Sequence, residues 1–174
     1  VGYSAGLNVT TGAENTLIGG EAGDALTTGE RNTALGYNAL SGEDTGSRNV
    51  AIGRGSLAVL NFDGIAYNTA VGYAAGGAMS TGVQNTLMGG LAGDAITTGT
   101  ANAIVGYTAA TNLETGSENV VVGSGAMNSA NGSESRNVAI GTNALADMNN
   151  GTNNYNVAIG FEALRTNTTG SDNV

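Results

Sequence analysis

The 174-residue chain lacks several residue types on which enzyme chemistry often depends. It contains no cysteine, histidine, proline or tryptophan, and its five basic residues are all arginines. Without histidine or cysteine, the common catalytic triads and zinc sites cannot be assembled, and no disulfide can form. These absences predict a protein that is not an enzyme and that needs no metal or other cofactor.

Charged residues are also few, and most of them are acidic. Fourteen acidic residues against five basic ones give a formal net charge of −9. Proteins that bind nucleic acid need clusters of Lys and Arg against the phosphates, so we expect no nucleic-acid partner. No apolar run approaches the roughly 18 residues of a membrane-spanning helix, so we expect no insertion into a membrane.

What the chain has in excess is glycine and repetition. Thirty residues are glycine, and the phrase SRNVAIG occurs at 47–53 and again at 135–141. Asparagines recur from Asn15 to Asn173 at intervals of 17, 17, 19, 17, 17, 17, 18, 19 and 17 residues, and the first nine of the ten are followed four residues later by glycine. The extra residues fall around a Thr-Gly turn, as in 61–67 and 149–155. We therefore predict a single repeat array over 1–174, a fragment of a longer fibre that begins and ends within a repeat.

Each repeat is too short for two helices and their connections. Its core is short and β-branched, bounded by Asn and Gly, which predicts a strand of about three to five residues. One repeat is then one coil of an all-β, parallel β-solenoid (β-roll) with about ten stacked coils. We expect a strand, a glycine corner, a second short extended stretch and a Thr-Gly turn in each coil. A single coil buries too little apolar surface to offset its ordering entropy, so the coils must stack.

Stacking places the same repeat position of every coil in one column. The asparagines are predicted to form a ladder of stacked amides, as identical polar side chains do in cross-β assemblies. The ladder consists of Asn15, Asn32, Asn49, Asn68, Asn85, Asn102, Asn119, Asn137 and Asn156. The glycines four residues later are predicted to supply positive φ or close backbone approach at a corner. They are Gly19, Gly36, Gly53, Gly72, Gly89, Gly106, Gly123, Gly141 and Gly160.

The two faces of the strand are assigned from side-chain size. The third residue after each Asn is always bulky and is assigned to the coil interior: Ile18, Leu35, Ile52, Val71, Met88, Val105, Val122, Ile140 and Ile159. The second residue then points outwards, although it is always apolar: Leu17, Ala34, Ala51, Ala70, Leu87, Ile104, Val121, Ala139 and Ala158. Soluble monomers rarely expose such a stripe. We therefore predict that it contacts sister chains in a lateral homo-oligomer.

Four tyrosines follow the corner glycine in every second coil. They are Tyr3, Tyr37, Tyr73 and Tyr107, with Gly20 and Gly90 between members of the set. One interpretation is a row of aromatic platforms that contact a glycan. The other is that each ring covers the backbone of a neighbouring coil.

Three phrases carry a resemblance to a known class of repeat. NTALGYNAL (32–40), NTAVGYAAG (68–76) and NVAIGFEALRTNTTG (156–170) resemble the NTAVGYxAL…TTG repeats of tail-fibre-like proteins, which often end in a self-cleaving intramolecular chaperone domain. More distantly, NVAIG is similar to head repeats of trimeric autotransporter adhesins. The resemblance implies a homotrimeric fibre, extracellular on a cell surface or part of a virion. The period here is longer than in the adhesin heads, so coil handedness and trimer geometry do not follow from it.

The function expected from the sequence is a non-enzymatic fibre shaft, a rigid spacer that also serves host or surface attachment. Its expected partners are further copies of itself, in a homotrimer, and a cell-surface glycan or receptor. Two alternatives stay open. One is the subunit of a cell-surface filament, and the other is a glycan-binding adhesin module that uses the tyrosines and the turn insertions.

Overall fold

The computed structural model describes residues 1–130, 132–148 and 154–174. It confirms an all-β solenoid, in which nine parallel strands of three residues form one sheet in sequence order. The strands are β1 (Thr16–Ile18), β2 (Thr33–Leu35), β3 (Val50–Ile52), β4 (Thr69–Val71), β5 (Thr86–Met88), β6 (Ala103–Val105), β7 (Val120–Val122), β8 (Val138–Ile140) and β9 (Val157–Ile159). Each coil contributes one strand.

The register places each repeat position on its own counterpart. Ala34 of β2 lies beside Ala51 of β3, and β8 pairs with β9 in the same way. The interval of 19 residues between β3 and β4 leaves this register intact, because Val50 still pairs with Thr69. Eight such pairings at about 4.8 Å give a sheet about 38 Å long.

The chain after the corner glycine forms turns, so the expected second extended stretch is not a strand. In the first described coil, Glu21 and Gly23 have φ of 56° and 54°, in the left-handed region. The N–H of Glu21 donates to Tyr3 O at 2.8 Å in one neighbouring coil, and that of Gly23 donates to Ala39 O at 2.9 Å in the other. The turns are therefore bonded from coil to coil, as the strands are.

All nine corner glycines have the predicted backbone conformation. Their φ values lie between +126° and +147°, a region that residues with a Cβ rarely adopt. Space is restricted there too, because a Cβ on Gly106 would overlap the backbone carbonyl of Gly123 in the next coil. Both the conformation and the close stacking of the corners require glycine.

The assignment of the two strand faces from sequence is wrong. The middle residue of each strand points into the coil, so the predicted inter-chain stripe is interior; all its members are buried except Leu17, which is partly buried in the first strand. The members are Leu17, Ala34, Ala51, Ala70, Leu87, Ile104, Val121, Ala139 and Ala158. The third residue points outwards and is partly or largely exposed in every strand, so the predicted coil interior is exterior. Those residues are Ile18, Leu35, Ile52, Val71, Met88, Val105, Val122, Ile140 and Ile159.

The burial of the asparagine before each strand explains why the interior and exterior faces were exchanged. Side chains alternate along a strand, so the Asn before each strand and the strand's middle residue lie on the same side. Asn49, Asn85 and Asn119 are fully buried, because their amides bond within the stack. The middle residue must then lie inside as well. With one three-residue strand per coil, the interior admits only that one strand side chain.

The interior is filled by complementary sizes from two sides of the coil. In seven of the nine coils, a large strand residue is paired with a small residue four positions after the corner glycine, or a small strand residue with a large one; the exceptions are Ala70 with Gly76 and Val121 with Met127. The pairs include Leu17 with Gly23, Ala34 with Leu40, Ala51 with Leu57, Leu87 with Gly93 and Ala139 with Leu145. A Cβ on Gly23 would lie 2.8 Å from a Leu17 methyl carbon. The Leu therefore occupies the space that a side chain at Gly23 would need.

Candidate functional site

The asparagine ladder predicted from sequence is present and holds the stack together. The Oδ1 atom of Asn102 accepts from the backbone N–H and the side-chain amide of Asn119, each at 3.0 Å. Its Nδ2 donates to Gly116 O at 2.9 Å and to Asn85 Oδ1 at 3.0 Å. The Oδ1 bond to the next asparagine's N–H recurs at every step from Asn15 to Asn173. These buried amides are structural and leave no open surface for a ligand.

The outward side of the sheet is an uncovered and mostly apolar surface, which we call the aliphatic face; its polar members are Thr16, Thr33, Thr69 and Thr86. It consists of the first and third residues of the nine strands, and no charged residue occurs at these positions. Ile18, in β1, is 43% exposed, and Met88, in β5, is 45% exposed. With strands about 10 Å long and a sheet about 38 Å long, the face covers about 400 Å².

Beyond the corner glycines runs a second exposed feature, the tyrosine row, formed by Tyr3, Tyr37, Tyr73 and Tyr107. The Tyr37 ring lies over Gly20 of the preceding coil, where a Cβ would meet the ring at 3.2 Å. Tyr107 lies over Gly90 in the same manner. The rings therefore do cover neighbouring backbone, and contact with a glycan stays a prediction.

Arg54 occupies the row between two of these tyrosines. Its Cζ lies 5.7 Å from the ring centroids of both Tyr37 and Tyr73, within the range of cation–π contact. Its Nη1 donates to the Tyr73 hydroxyl over a long 3.4 Å. The hydrogen bond and charge of Glu21 raise the pKa of the Tyr37 hydroxyl, so an acidic group lies at that end of the row.

The opposite edge of the sheet, just before each asparagine, carries a ladder of charged and aromatic side chains. Arg31 pairs with Glu14 at 2.9 Å, and Arg136 pairs with Glu118 at 2.8 Å. The hydrogen bond from Arg31 lowers the pKa of Glu14. Both pairs are exposed, and exposed ion pairs add little to stability.

Acidic residues are distributed unevenly over the rod. On the side formed by the strands, their preceding residues and the tyrosine row, segments 48–57, 67–75, 84–92 and 101–109 contain no Asp or Glu. Between residues 48 and 109 the only carboxylates are Asp63 and Asp94, both in turns away from the strands. Four consecutive coils therefore share a surface without carboxylates in a chain of net charge −9.

Sequence reasoning missed two fully buried glutamates, Glu43 and Glu134. Glu43 is fully buried in a column where other coils have Leu26, Leu60 or Met79. Its oxygens accept from Gly46 N at 2.7 Å and from Phe62 N, in the inserted turn 61–67, at 3.3 Å. Burial raises the pKa of Glu43. A charged residue in an otherwise aliphatic column of the repeat alignment was the sign that could have revealed it.

Among the described residues of the two turn insertions, the structure shows no cluster that could form a metal site. Segment 61–67 is tied down through Glu43, and Asp63 accepts a hydrogen bond from the Thr45 hydroxyl at 2.6 Å. Of segment 149–155, only Asn154 and Tyr155 are among the described residues. Within the described ranges, no three acidic side chains cluster as metal ligands, and no helix is long and apolar enough to cross a membrane.

The chain matches no known family model, no curated protein and no solved structure.

Proposed function

We propose that this chain is a non-enzymatic shaft of a homotrimeric fibre, extracellular on a cell surface or virion, in which the solenoid is a rigid spacer. The observation that carries the proposal is the aliphatic face. The sequence predicted a lateral oligomer from the stripe of middle strand residues, which lies inside the coil. The same argument applies to the aliphatic face, because that face is exposed. Apolar patches of this size on soluble proteins usually mark an interaction site.

The choice of three copies rests on closure and on the sequence resemblance. Two faces of about 400 Å² would bury only about 800 Å² together, the size of a typical crystal contact. Rods that meet side by side around one axis also hide all their faces and leave none for further growth. The resemblance to tail-fibre repeats points to the same number.

The spacer role rests on the continuity of the bonding. Strand bonds and the asparagine ladder join each coil to the next from β1 to β9, and turn bonds add to them in the parts of the chain that the structure describes. A rod held in this way keeps its two ends at a fixed separation, which is the mechanical property that a shaft requires.

Light scattering coupled to size exclusion tests the assembly. We expect a particle of three times the 17.0 kDa chain mass. Val105→Asp combined with Val122→Asp places two charges on the aliphatic face and should give monomers with an unchanged β-type circular dichroism spectrum. Thr81→Asp with Thr98→Asp, at exposed turn positions on adjacent coils, is the matched control and should stay trimeric.

A wild-type chain that runs as a stable monomer would refute the proposal. Open-ended particles of increasing mass would instead favour the filament subunit, because growth without closure is what distinguishes a filament from a closed trimer.

A further inference from the structure

We propose that Arg54, Tyr73 and Tyr107 form a binding row for an acidic polysaccharide, a function that goes beyond that of a spacer. The sugar rings would lie on the tyrosines, and a carboxylate of a uronic or sialic acid unit would be held by Arg54. The observations behind the proposal are the pairing of the arginines, the exposure of the row and the distribution of charge.

The first observation is that Arg54 has no acidic partner. Arg31, Arg136 and Arg165 each have a carboxylate within 4.0 Å, whereas among the described residues Arg48 and Arg54 have none. In a chain with fourteen acidic residues, an arginine without a carboxylate is available to an external anion. A guanidinium carries five N–H donors, and the long bond to Tyr73 uses only one of those of Arg54.

The second observation is the way in which the guanidinium is held. Tyr37 and Tyr73 flank it at 5.7 Å, which restrains its position. Such a restrained fork loses little side-chain entropy when it binds a carboxylate through two parallel hydrogen bonds. Arg48 also donates from Nη1 to a tyrosine hydroxyl, that of Tyr67, but among the described residues its guanidinium lies over that one ring only.

The third observation is the exposure and spacing of the row. Tyr73 is 54% exposed and Tyr107 is 63% exposed, with Gly90 between them. Neighbouring positions of the row are one coil apart, about 4.8 Å, and run along the rod axis. An extended polymer lying along the axis can therefore contact several coils at once, with tyrosine faces for the apolar side of its rings.

The fourth observation is the surrounding charge. The surface from Arg54 to Tyr107 lies in the four coils without strand-side carboxylates, whereas Glu21 lies beyond Tyr37 at the other end. At physiological ionic strength, charges further than about 8 Å away are largely screened. An anionic chain therefore meets attraction along this stretch, despite the net charge of −9.

Binding is measured by titration calorimetry with three acidic probes, namely oligogalacturonate, hyaluronan fragments and oligosialic acid, and with fully methyl-esterified oligogalacturonate as the neutral match. We expect at least one acidic probe to bind and the ester to bind at least about tenfold more weakly. Arg54→Ala should weaken binding about 10-fold to 100-fold, as for a charge-assisted bidentate contact. Tyr73→Ala should also weaken it, and Arg48→Ala should change it by less than about twofold.

Three results would overturn the proposal. They are no binding of any acidic probe at about 1 mM, equal binding of the ester, or equal losses from the Arg48 and Arg54 variants. Light scattering is run on each variant. If Arg54→Ala dissociates the particle into monomers, the arginine serves the contact between copies and the glycan site is rejected. The trimer proposal is judged on the wild-type mass alone, so either proposal can fail without the other.

Discussion

The Oδ1 atom of Asn32 accepts hydrogen bonds from both the backbone N–H of Asn49, at 2.9 Å, and its side-chain amide, at 3.3 Å. Both residues are buried, so these groups have no water to replace a lost partner. One side chain thus joins the backbone of one coil to that of the next. The same relationship is repeated along the rod, so substitution of any buried asparagine of the column should affect two neighbouring coils.

Asn102→Ala tests this sensitivity. It removes the acceptor for Asn119 and the donor for Gly116 O, and leaves both groups buried without a partner. We expect a loss of about 2–4 kcal/mol in the free energy of unfolding, measured by urea denaturation. Gln84→Ala, an exposed polar position in an adjacent coil, should change stability by less than about 0.5 kcal/mol. Similar losses in both variants would show that the ladder adds no stability.

Substitution of two glycines by alanine distinguishes the cost of backbone strain from the cost of steric overlap. Gly55 has φ of +69° and open space where a Cβ would lie, so Gly55→Ala should cost only about 1–2 kcal/mol. Gly106 has φ of +147° and lies against the Gly123 carbonyl, so Gly106→Ala should cost several kcal/mol or split the rod into two unfolding units. Thermal unfolding by differential scanning calorimetry distinguishes these outcomes, and equal effects would contradict the close stacking of the corners.

The size complementarity of the interior predicts coupling between two positions. Ala51→Leu should destabilise by about 1–3 kcal/mol through overpacking, and Leu57→Gly by about 3–5 kcal/mol through a cavity. The double variant recreates the combination found at Leu87 and Gly93, so its loss should be smaller than the sum by at least about 1 kcal/mol. A double-mutant cycle from urea denaturation measures this coupling. Strict additivity would mean that the two side chains do not share one space.

Glu43 predicts a pH dependence of stability with a defined sign. Burial raises its pKa above the value of 4.5 for an unburied Glu, so the folded state binds the proton more tightly than the unfolded chain. The protonated Glu43 therefore adds to the free energy of unfolding. This contribution is complete below about pH 4.5 and is lost as the pH rises through the pKa of Glu43 in the folded state. The stability difference between Glu43→Gln and wild type should therefore grow, in favour of the variant, from about pH 4 towards about pH 8. A constant difference would contradict the cause given for the shift.

Deletion of 86–102, one full period, tests whether the coils are interchangeable. It brings Asn85 next to Ala103 and restores the repeat phrase. We expect a folded rod shorter by about 4.8 Å, measured by small-angle scattering. Deletion of about half a period from the same segment should prevent folding, because it destroys the register. If both deletions fold equally well, the repeat does not define the coil.

Much of the fold follows from the spacing of a few residues. The interval between Asn85 and Asn102 fixes the length of a coil, and the glycine after each strand fixes the corner. The faces could not be assigned from the size of Ile18 or Ile52, because an exposed interaction surface and a core can both contain such aliphatic side chains. If the asparagine is taken as buried, the middle residue of each strand must also point into the coil. The alternation of size between positions such as Ala51 and Leu57 supports that assignment.

The candidate sites were less accessible to sequence reasoning. The tyrosine row was visible as a column, but the position of Arg54 between two rings depends on rotamers that spacing does not determine. Glu43 depends on the path of the inserted turn, which brings the Phe62 N–H to its carboxylate. Arg54 and Glu43 both occupy positions where their coil differs from the consensus of the repeat. An alignment that is read for its consensus does not show such differences.

The uniform junctions between coils also bear on how such a protein changes over generations. Since each coil meets the next through the same asparagine, glycine and strand contacts, a gene segment encoding one period can be duplicated or lost without creating an unfamiliar boundary. Recombination alone can then change the length of the rod, while point substitutions alter the solvent-facing columns independently.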